Sequence, residues 1–185
     1  MAGAGIKVIN KRIRSVKSTQ QITKAMKMVS AAKLRRSQDR LMAARPYSTK
    51  LQALLQRLAG AGSADHPLFE ARDVATRLYV VCTSDKGLCG AYNMNVMRAA
   101  HKAIDADIAE GITVQVYAVG RKARDYYTKR GYDVVASHDD FGGQASDDKA
   151  RKVTEFVQGR FLGGEVDEVK LAYAEFVSTL TQRPN

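Results

Sequence analysis

The chain has 185 residues, 45% of them hydrophobic and 26% charged, and a formal net charge of +11. That apolar fraction supports one ordinary core plus an accessory element. No apolar run approaches the roughly 18 residues a bilayer-spanning helix needs, and the N-terminus has no signal-peptide pattern, so a chain soluble on its own is expected.

The stretch 6–58 contains no glycine, and one proline, Pro46, interrupts it. Its apolar residues recur at three- and four-residue steps: Ile6, Ile9, Ile13, Val16, then Ile22, Met26, Val29, then Leu41, Ala44, Leu51, Leu55, Leu58. This is the period of a helix. A helix of that length reaches about 80 Å, too long to be buried in its own domain. The step of six from Val16 to Ile22 turns the second run to another face, which predicts different partners at different heights. Pro46 predicts a kink or a stop, and the leucines beyond it keep the period, favouring the kink. Between Lys7 and Arg57 stand fourteen Lys and Arg against one acid, Asp39, so the rest of the chain is slightly acidic. Like charges on neighbouring turns repel, and a face this one-sided predicts an acidic partner more than mere solvation.

Residues 1–59 are therefore read as a shaft helix, 60–77 as a linker holding Gly60, Gly62, Ser63 and Pro67, 78–178 as an α/β domain and 179–185 as a loose polar tail. A short β-rich apolar run at 78–83 precedes a glycine-rich turn and a helix at about 94–110. A strand at 113–119, a helix at 121–130 and a brief strand at 133–136 follow. After a loop with Gly142 and Gly143, Ser146 can cap a helix to Leu162 with Asp147 and Asp148 in its first turn. A last strand spans 169–177. Alternating strands and helices imply a doubly wound, mostly parallel, Rossmann-like sheet.

The turn Asp85, Lys86, Gly87, Leu88, Cys89, Gly90 sits where dinucleotide enzymes carry their phosphate loop, but it is not their fingerprint. GxGxxG is missing, Lys86 precedes its glycine, and no acid closes the second strand. A tight turn using glycine geometry is the better reading. Cys82 and Cys89 lack a second pair for a metal site and read as free thiols in a reducing compartment. His66, His101 and His138 are scattered, and no nucleophile, base and oxyanion site assembles. The pairs Asp139 with Asp140 and Asp147 with Asp148 suit turns and caps. The capping-box pattern at 18–21 falls inside the helix and is discounted. No cofactor, metal or catalytic residue is expected. A nucleic-acid-binding protein with a basic helical arm is the alternative; few aromatics are available to stack on bases, which counts against it.

The residues QITKAMKMVSAAK at 21–33, SQDR at 37–40 and ARPY at 44–47 closely resemble the gamma subunit of F-type ATP synthases. So does SDKGLCGAYN at 84–93, the family's turn after its first strand. The resemblance implies a non-catalytic central-stalk rotor. Its N-terminal helix would be half of an antiparallel coiled coil inside a hexamer of alpha and beta subunits, and its α/β domain a foot near the epsilon subunit and the membrane c-ring. Rotation driven by ion flow would couple to ATP synthesis or hydrolysis. On this resemblance Lys24, Met26, Lys27, Val29, Lys33, Arg35 and Arg36 would meet the hexamer, the cations facing acidic lever loops of beta, while Met26 either joins that contact or packs on the second helix. It also implies no nucleic acid, no membrane insertion, and a place peripheral to a membrane, on the cytoplasmic face in bacteria or the matrix or stroma side in organelles. Members of that family continue past the position of Asn185, through the c-ring contact segment and the C-terminal helix, so a fragment or a natively short chain is expected. No transit-like leader is seen, which favours a bacterial source or a mature organellar chain.

Overall fold

The computed structural model describes residues 2–60, 66–139 and 147–185, and it divides into two compact units, Met1–Ser63 and Ala64–Asn185. Gly62 and Ser63 of the expected linker, and Gly142, Gly143 and the expected cap Ser146, lie outside the described residues.

The first unit is α1 (Ala2–Gly60), a helix of 59 residues. It passes through Pro46 without ending. The lost N–H forfeits one ladder bond, while Ser48 Oγ donates to the Arg45 carbonyl at 3.0 Å beside the break. Thr19 and Thr23 donate in the same way to the carbonyls of Ser15 and Thr19, both at 3.0 Å. Such bonds to the preceding turn are usual for threonine inside a helix, and because α1 begins at Ala2 the pattern at 18–21 stands at no helix start. From Gly5 to Gly60 every residue but Gln38 is exposed, the apolar stripe included.

The second unit opens with a short 3-10 turn, Pro67–Phe69, whose first free N–H groups include that of Leu68; it donates to His66 Nδ1 at 3.2 Å. There follow β1 (Thr76–Cys82), α2 (Tyr92–Ala109), β2 (Thr113–Val119), α3 (Arg121–Thr128), β3 (Val134–His138), α4 (Asp147–Leu162) and β4 (Glu168–Ala172). The four strands form one sheet in the order β3-β2-β1-β4, every pair parallel. Chain order runs outward from β1 to β3, then crosses back to β4 on the far side of β1. That reversal puts α2 and α3 on one face and α4 on the other, as right-handed crossovers require.

Strand alternation explains the two cores. Tyr79 and Val81 point to one face and pack with Val96, Met97, Ile104 and Tyr127 of α2 and α3. Leu78 and Val80 point to the other and meet Phe156, Val157 and Phe161 of α4. β1 is covered on both sides, hence its unbroken apolar run.

The end of the chain departs from expectation. Residues 169–177 are two strands, with different partners: β4 joins the sheet, while β5 (Ala174–Phe176) pairs antiparallel with β6 (Gln182–Pro184). The supposedly loose tail is therefore half of a hairpin. Tyr173 and Asn185 exchange both backbone bonds at 2.9 and 2.8 Å, and Ser178 Oγ accepts from the Leu180 and Thr181 amides at 3.3 and 3.1 Å to close the turn. A serine closing the turn locally replaces the Asn-Gly signal that sequence reading relies on.

Candidate functional site

On α1 the proposed contact residues fall into two sets. Spacings of three, four and seven place Met26, Val29, Lys33 and Arg36 on one face, continuing the stripe of Ile22. Lys24, Lys27 and Arg35, related by steps of three and eleven, lie on the opposite side. All seven are exposed. One face thus mixes apolar and basic groups and the other is mainly basic, so a single flat partner would reach only one set.

The turn after β1 is closed by its own neighbours. Asn93, buried in the first turn of α2, accepts from the Ser84 amide at 2.9 Å and donates from Nδ2 to Ser84 Oγ at 2.9 Å and to Cys89 Sγ at 3.0 Å. Ser84 Oγ donates to the Lys86 carbonyl at 2.6 Å. Asp85 Oδ1 accepts from the Arg121 amide at 3.1 Å and the Asp85 carbonyl from Arg121 Nε at 3.1 Å, so this residue caps α3 across the sheet end. Gly90 takes φ +59°, as a tight turn needs, but so does Leu88 at φ +61° with its side chain fully exposed. A left-handed leucine costs about 1 kcal/mol or more. Lys86, Gly87, Leu88, Cys89 and Gly90 thus form an exposed tip, and Ser84, Asp85 and Asn93 form its base. Sequence reading of the turn did not single out Asn93, whose available signal was an amide side chain in the first turn of a helix directly after a loop rich in polar groups.

The place where an open doubly wound sheet takes a ligand is the crevice at the strand reversal, here above β1 and β4. The β5–β6 hairpin lies there, leaving a 380 Å³ cavity lined by Cys89, Gly90, Tyr92, Leu180, Thr181 and Gln182. Among the described residues, no lysine or arginine lines it. Among the described residues, no group of three or more His, Cys, Asp and Glu side chains could hold a metal ion. Burial pushes the Cys82 thiol up to about 11, while Cys89 is exposed; both are free thiols.

Sequence reasoning missed a buried polar network at the other end of the sheet. Arg77 of β1 pairs with Asp107 of α2, and with Glu168 of β4 at 2.5 Å; the Tyr79 hydroxyl also donates to Asp107, and Lys170 Nζ stands 3.7 Å away. Burial alone would raise the Asp107 carboxyl, but the bonds from Tyr79 and Arg77 and the charges of Arg77 and Lys170 outweigh it and hold it below the usual range. These groups tie two strands to a helix, and Tyr79 and Lys170 also line a groove of 270 Å³ on the α2 side. Tyr79 was masked as a member of the buried apolar run, and Arg77 was read as the end of the linker, although β1 begins at Thr76.

The sequence model of the ATP synthase family matches residues 5–185. The ATP synthase gamma chain of Desulforamulus reducens is 48% identical over 182 residues, covering 98% of this chain and 63% of that protein. The gamma chain of Aquifex aeolicus is 41% identical over 186 residues, covering 100% of this chain and 64% of its own. The chain thus spans somewhat less than two thirds of the curated relatives it matches. Among solved structures, the central stalk and c-ring of the Tetrahymena thermophila mitochondrial ATP synthase, determined by cryo-EM, has the same fold: TM-score 0.68 at 24% identity, covering 89% of this chain and 70% of that one. A match over nearly every residue, with gamma chains on the other side of each pairwise alignment, means that this chain belongs to the ATP synthase gamma-chain family.

Proposed function

We propose that this chain is the non-catalytic central-stalk rotor subunit of an F-type ATP synthase, coupling ion flow through a membrane sector to ATP synthesis or hydrolysis in a hexamer of alpha and beta subunits. The observation that carries the reading is α1: 59 residues of helix with an exposed apolar stripe and fourteen cations against one acid. Positive side chains held near acidic loops attract them with a strength that changes as the shaft turns, and steer encounter as well. Lys24, Lys27, Lys33, Arg35 and Arg36 supply that charge, and Met26 and Val29 exclude water beside it. The exposed tip at Lys86, Gly87, Leu88, Cys89 and Gly90 is a second contact of the foot. The long helix is the shaft and the second unit the foot; of the expected linker 60–77, Gly60 belongs to α1 and Thr76 and Arg77 to β1, and the 179–185 tail joins the foot through the hairpin.

The partners are the alpha and beta subunits, the epsilon subunit and the c-ring, without nucleic acid. The place is peripheral to a membrane, at the cytoplasmic face in a bacterium or the matrix or stroma side in an organelle. Among the described residues no helix is long and apolar enough to cross a membrane. Neither the family match nor the fold neighbour supports the nucleic-acid alternative, and a salt-sensitive gel shift lost on deleting α1 would be needed to revive it.

The test is reconstitution with purified alpha and beta subunits, read by mass on size exclusion and by ATPase rate. One copy per hexamer is expected. A variant with Lys24, Lys27, Arg35 and Arg36 each changed to Gln should bind at least about tenfold more weakly, with a smaller salt dependence. Absence of association at low salt, or equal affinity for the variant, would overturn the reading of this surface.

A further inference from the structure

Segment 5–17 of α1 carries five cations, Lys7, Lys11, Arg12, Arg14 and Lys17, and no acid. At about 100° per residue, Ile6, Ile9, Ile13 and Val16 fall within a stripe roughly 80° wide, while Lys7, Lys11 and Arg14 cluster on the opposite side. Arg12 and Lys17 flank the stripe, one on each side, and Val8 lies off it. The four stripe side chains are 47% to 68% exposed. Further along the helix this segregation is lost, because Lys33 and Arg36 continue the line of Ile22, Met26 and Val29.

The charges constrain what can cover this face. A second copy is disfavoured, since Asp39 is the one acid of α1 and two such segments side by side would bring only cations together. A protein helix would need an apolar ridge with acids along both flanks, matched to Arg12 and Lys17. An anionic lipid surface meets both demands without any such match, because it offers an apolar layer beneath negative phosphates on every side. The stems of Arg12 and Lys17 then lie along the stripe with their charged ends at the phosphate level. Lys7, Lys11 and Arg14 face water within the negative potential, which reaches about 8 Å from the surface at physiological salt.

We propose that the face of Ile6, Ile9, Ile13 and Val16 is a docking surface for an anionic lipid bilayer, on which segment 5–17 lies in the plane of the headgroups without crossing them. The step of six from Val16 to Ile22 turns the apolar run away and ends the lipid-facing stretch. In the rotor reading the same face is enclosed by the hexamer, so the lipid-bound form is that of the unassembled chain and gives way as the complex forms. The inference stands on α1 alone, and its failure leaves the reconstitution test of Lys24, Lys27, Arg35 and Arg36 untouched.

The 185-residue chain is co-sedimented at about 0.1 M salt with vesicles of phosphatidylcholine containing about 30% phosphatidylglycerol, and with vesicles of phosphatidylcholine alone. Binding to the first is expected, at least about tenfold tighter than to the second. Changing Lys7, Lys11 and Arg14 to Gln should weaken it more than about tenfold, at roughly fivefold per cation. Ile9→Gln with Ile13→Gln keeps every cation and a good helix former, and should also lose at least about tenfold. The chain has no Trp, so Ile13→Trp on the stripe and Ser18→Trp opposite it report separately. Emission of the first should move to shorter wavelength on the anionic vesicles, and that of the second should not. No binding to the anionic vesicles, undiminished binding of the Ile9 and Ile13 variant, or equal shifts at the two Trp positions would overturn the proposal. So would the same Ile13→Trp shift with polyglutamate in place of vesicles, which assigns the face to an acidic protein.

Discussion

Gly120 stands where the end of β2 meets the backbone of Thr83, and Gly120→Ala should be the most damaging Gly→Ala change among the described glycines of this unit. The residue joins β2 to α3 at φ +98° and ψ 140°, a region close to glycine-only. A Cβ there would lie 2.4 Å from the Thr83 carbonyl oxygen and 2.8 Å from its carbon, against 3.4 Å or more for ordinary contact. Thr83 cannot retreat freely. Its amide donates to the Val119 carbonyl at 2.8 Å, its Oγ1 accepts from the Ala123 amide at 2.9 Å, and Gly120 itself donates to the His138 carbonyl at 2.7 Å. Backbone strain costs about 1–3 kcal/mol and the enforced shift about another 1–3. A loss of about 3–5 kcal/mol is expected, which a unit of this size shows as roughly 10–20 °C in Tm. Gly111→Ala is the internal comparison: its φ is +86° but nothing lies within 4 Å of the new atom, so only the backbone part, about 1–2 kcal/mol, should appear. Urea unfolding followed by tyrosine fluorescence suits the measurement, because the chain has no Trp and only Tyr47 of its eight tyrosines is on α1. Equal losses for the two variants would refute the close-approach argument.

Two further outcomes follow from the titrating groups. Asp107 has a folded pKa below its unfolded one, so its contribution is complete above the ordinary carboxylate range near 3.9 and is lost as pH falls through the folded value. Asp107→Asn, which leaves Arg77 with Glu168 alone, should cost about 3 kcal/mol at pH 7 and flatten the decline of unfolding free energy below about pH 4; an unaltered acid limb would sink that assignment. Cys82, its thiol raised to about 11 by burial, should alkylate with iodoacetamide far more slowly than exposed Cys89 at pH 7.5. Peptide mapping after timed quenching measures both rates, and comparable rates would contradict the burial of Cys82.

What the sequence displayed was whatever repeats with a period. The helical steps of 6–58 and the apolar run of β1 were legible because burial or exposure acts on every third, fourth or successive residue there. The doubly wound class followed from the alternation of strand and helix. What stayed hidden depends on pairing between distant residues: Arg77 with Asp107, Asp85 with the α3 amide, Asn93 with Ser84, Tyr173 with Asn185. None of these leaves a local pattern. The split of the last strand escaped for the same reason, since VKLAYAEFV reads as one β-rich run and only the partners of its two halves distinguish them.

The same pairings explain why a Rossmann-like topology here does not carry a nucleotide-site reading. In a phosphate-binding turn the loop amides and side chains are left pointing at the ligand. In this turn the Ser84 amide is taken by Asn93, the Ser84 hydroxyl by the Lys86 carbonyl, and the Asp85 carboxylate by the first amide of α3. At the strand reversal, where the ligand's base and ribose would extend, the β5–β6 hairpin supplies one wall of the remaining space. The polar groups that a ligand would have satisfied instead bind the end of β1 to α2 and α3, making this end of the sheet a rigid mount for an exposed tip. Strand order alone would have suggested a cofactor enzyme; an account of where each polar group finds its partner shows a turn tied to its own neighbours.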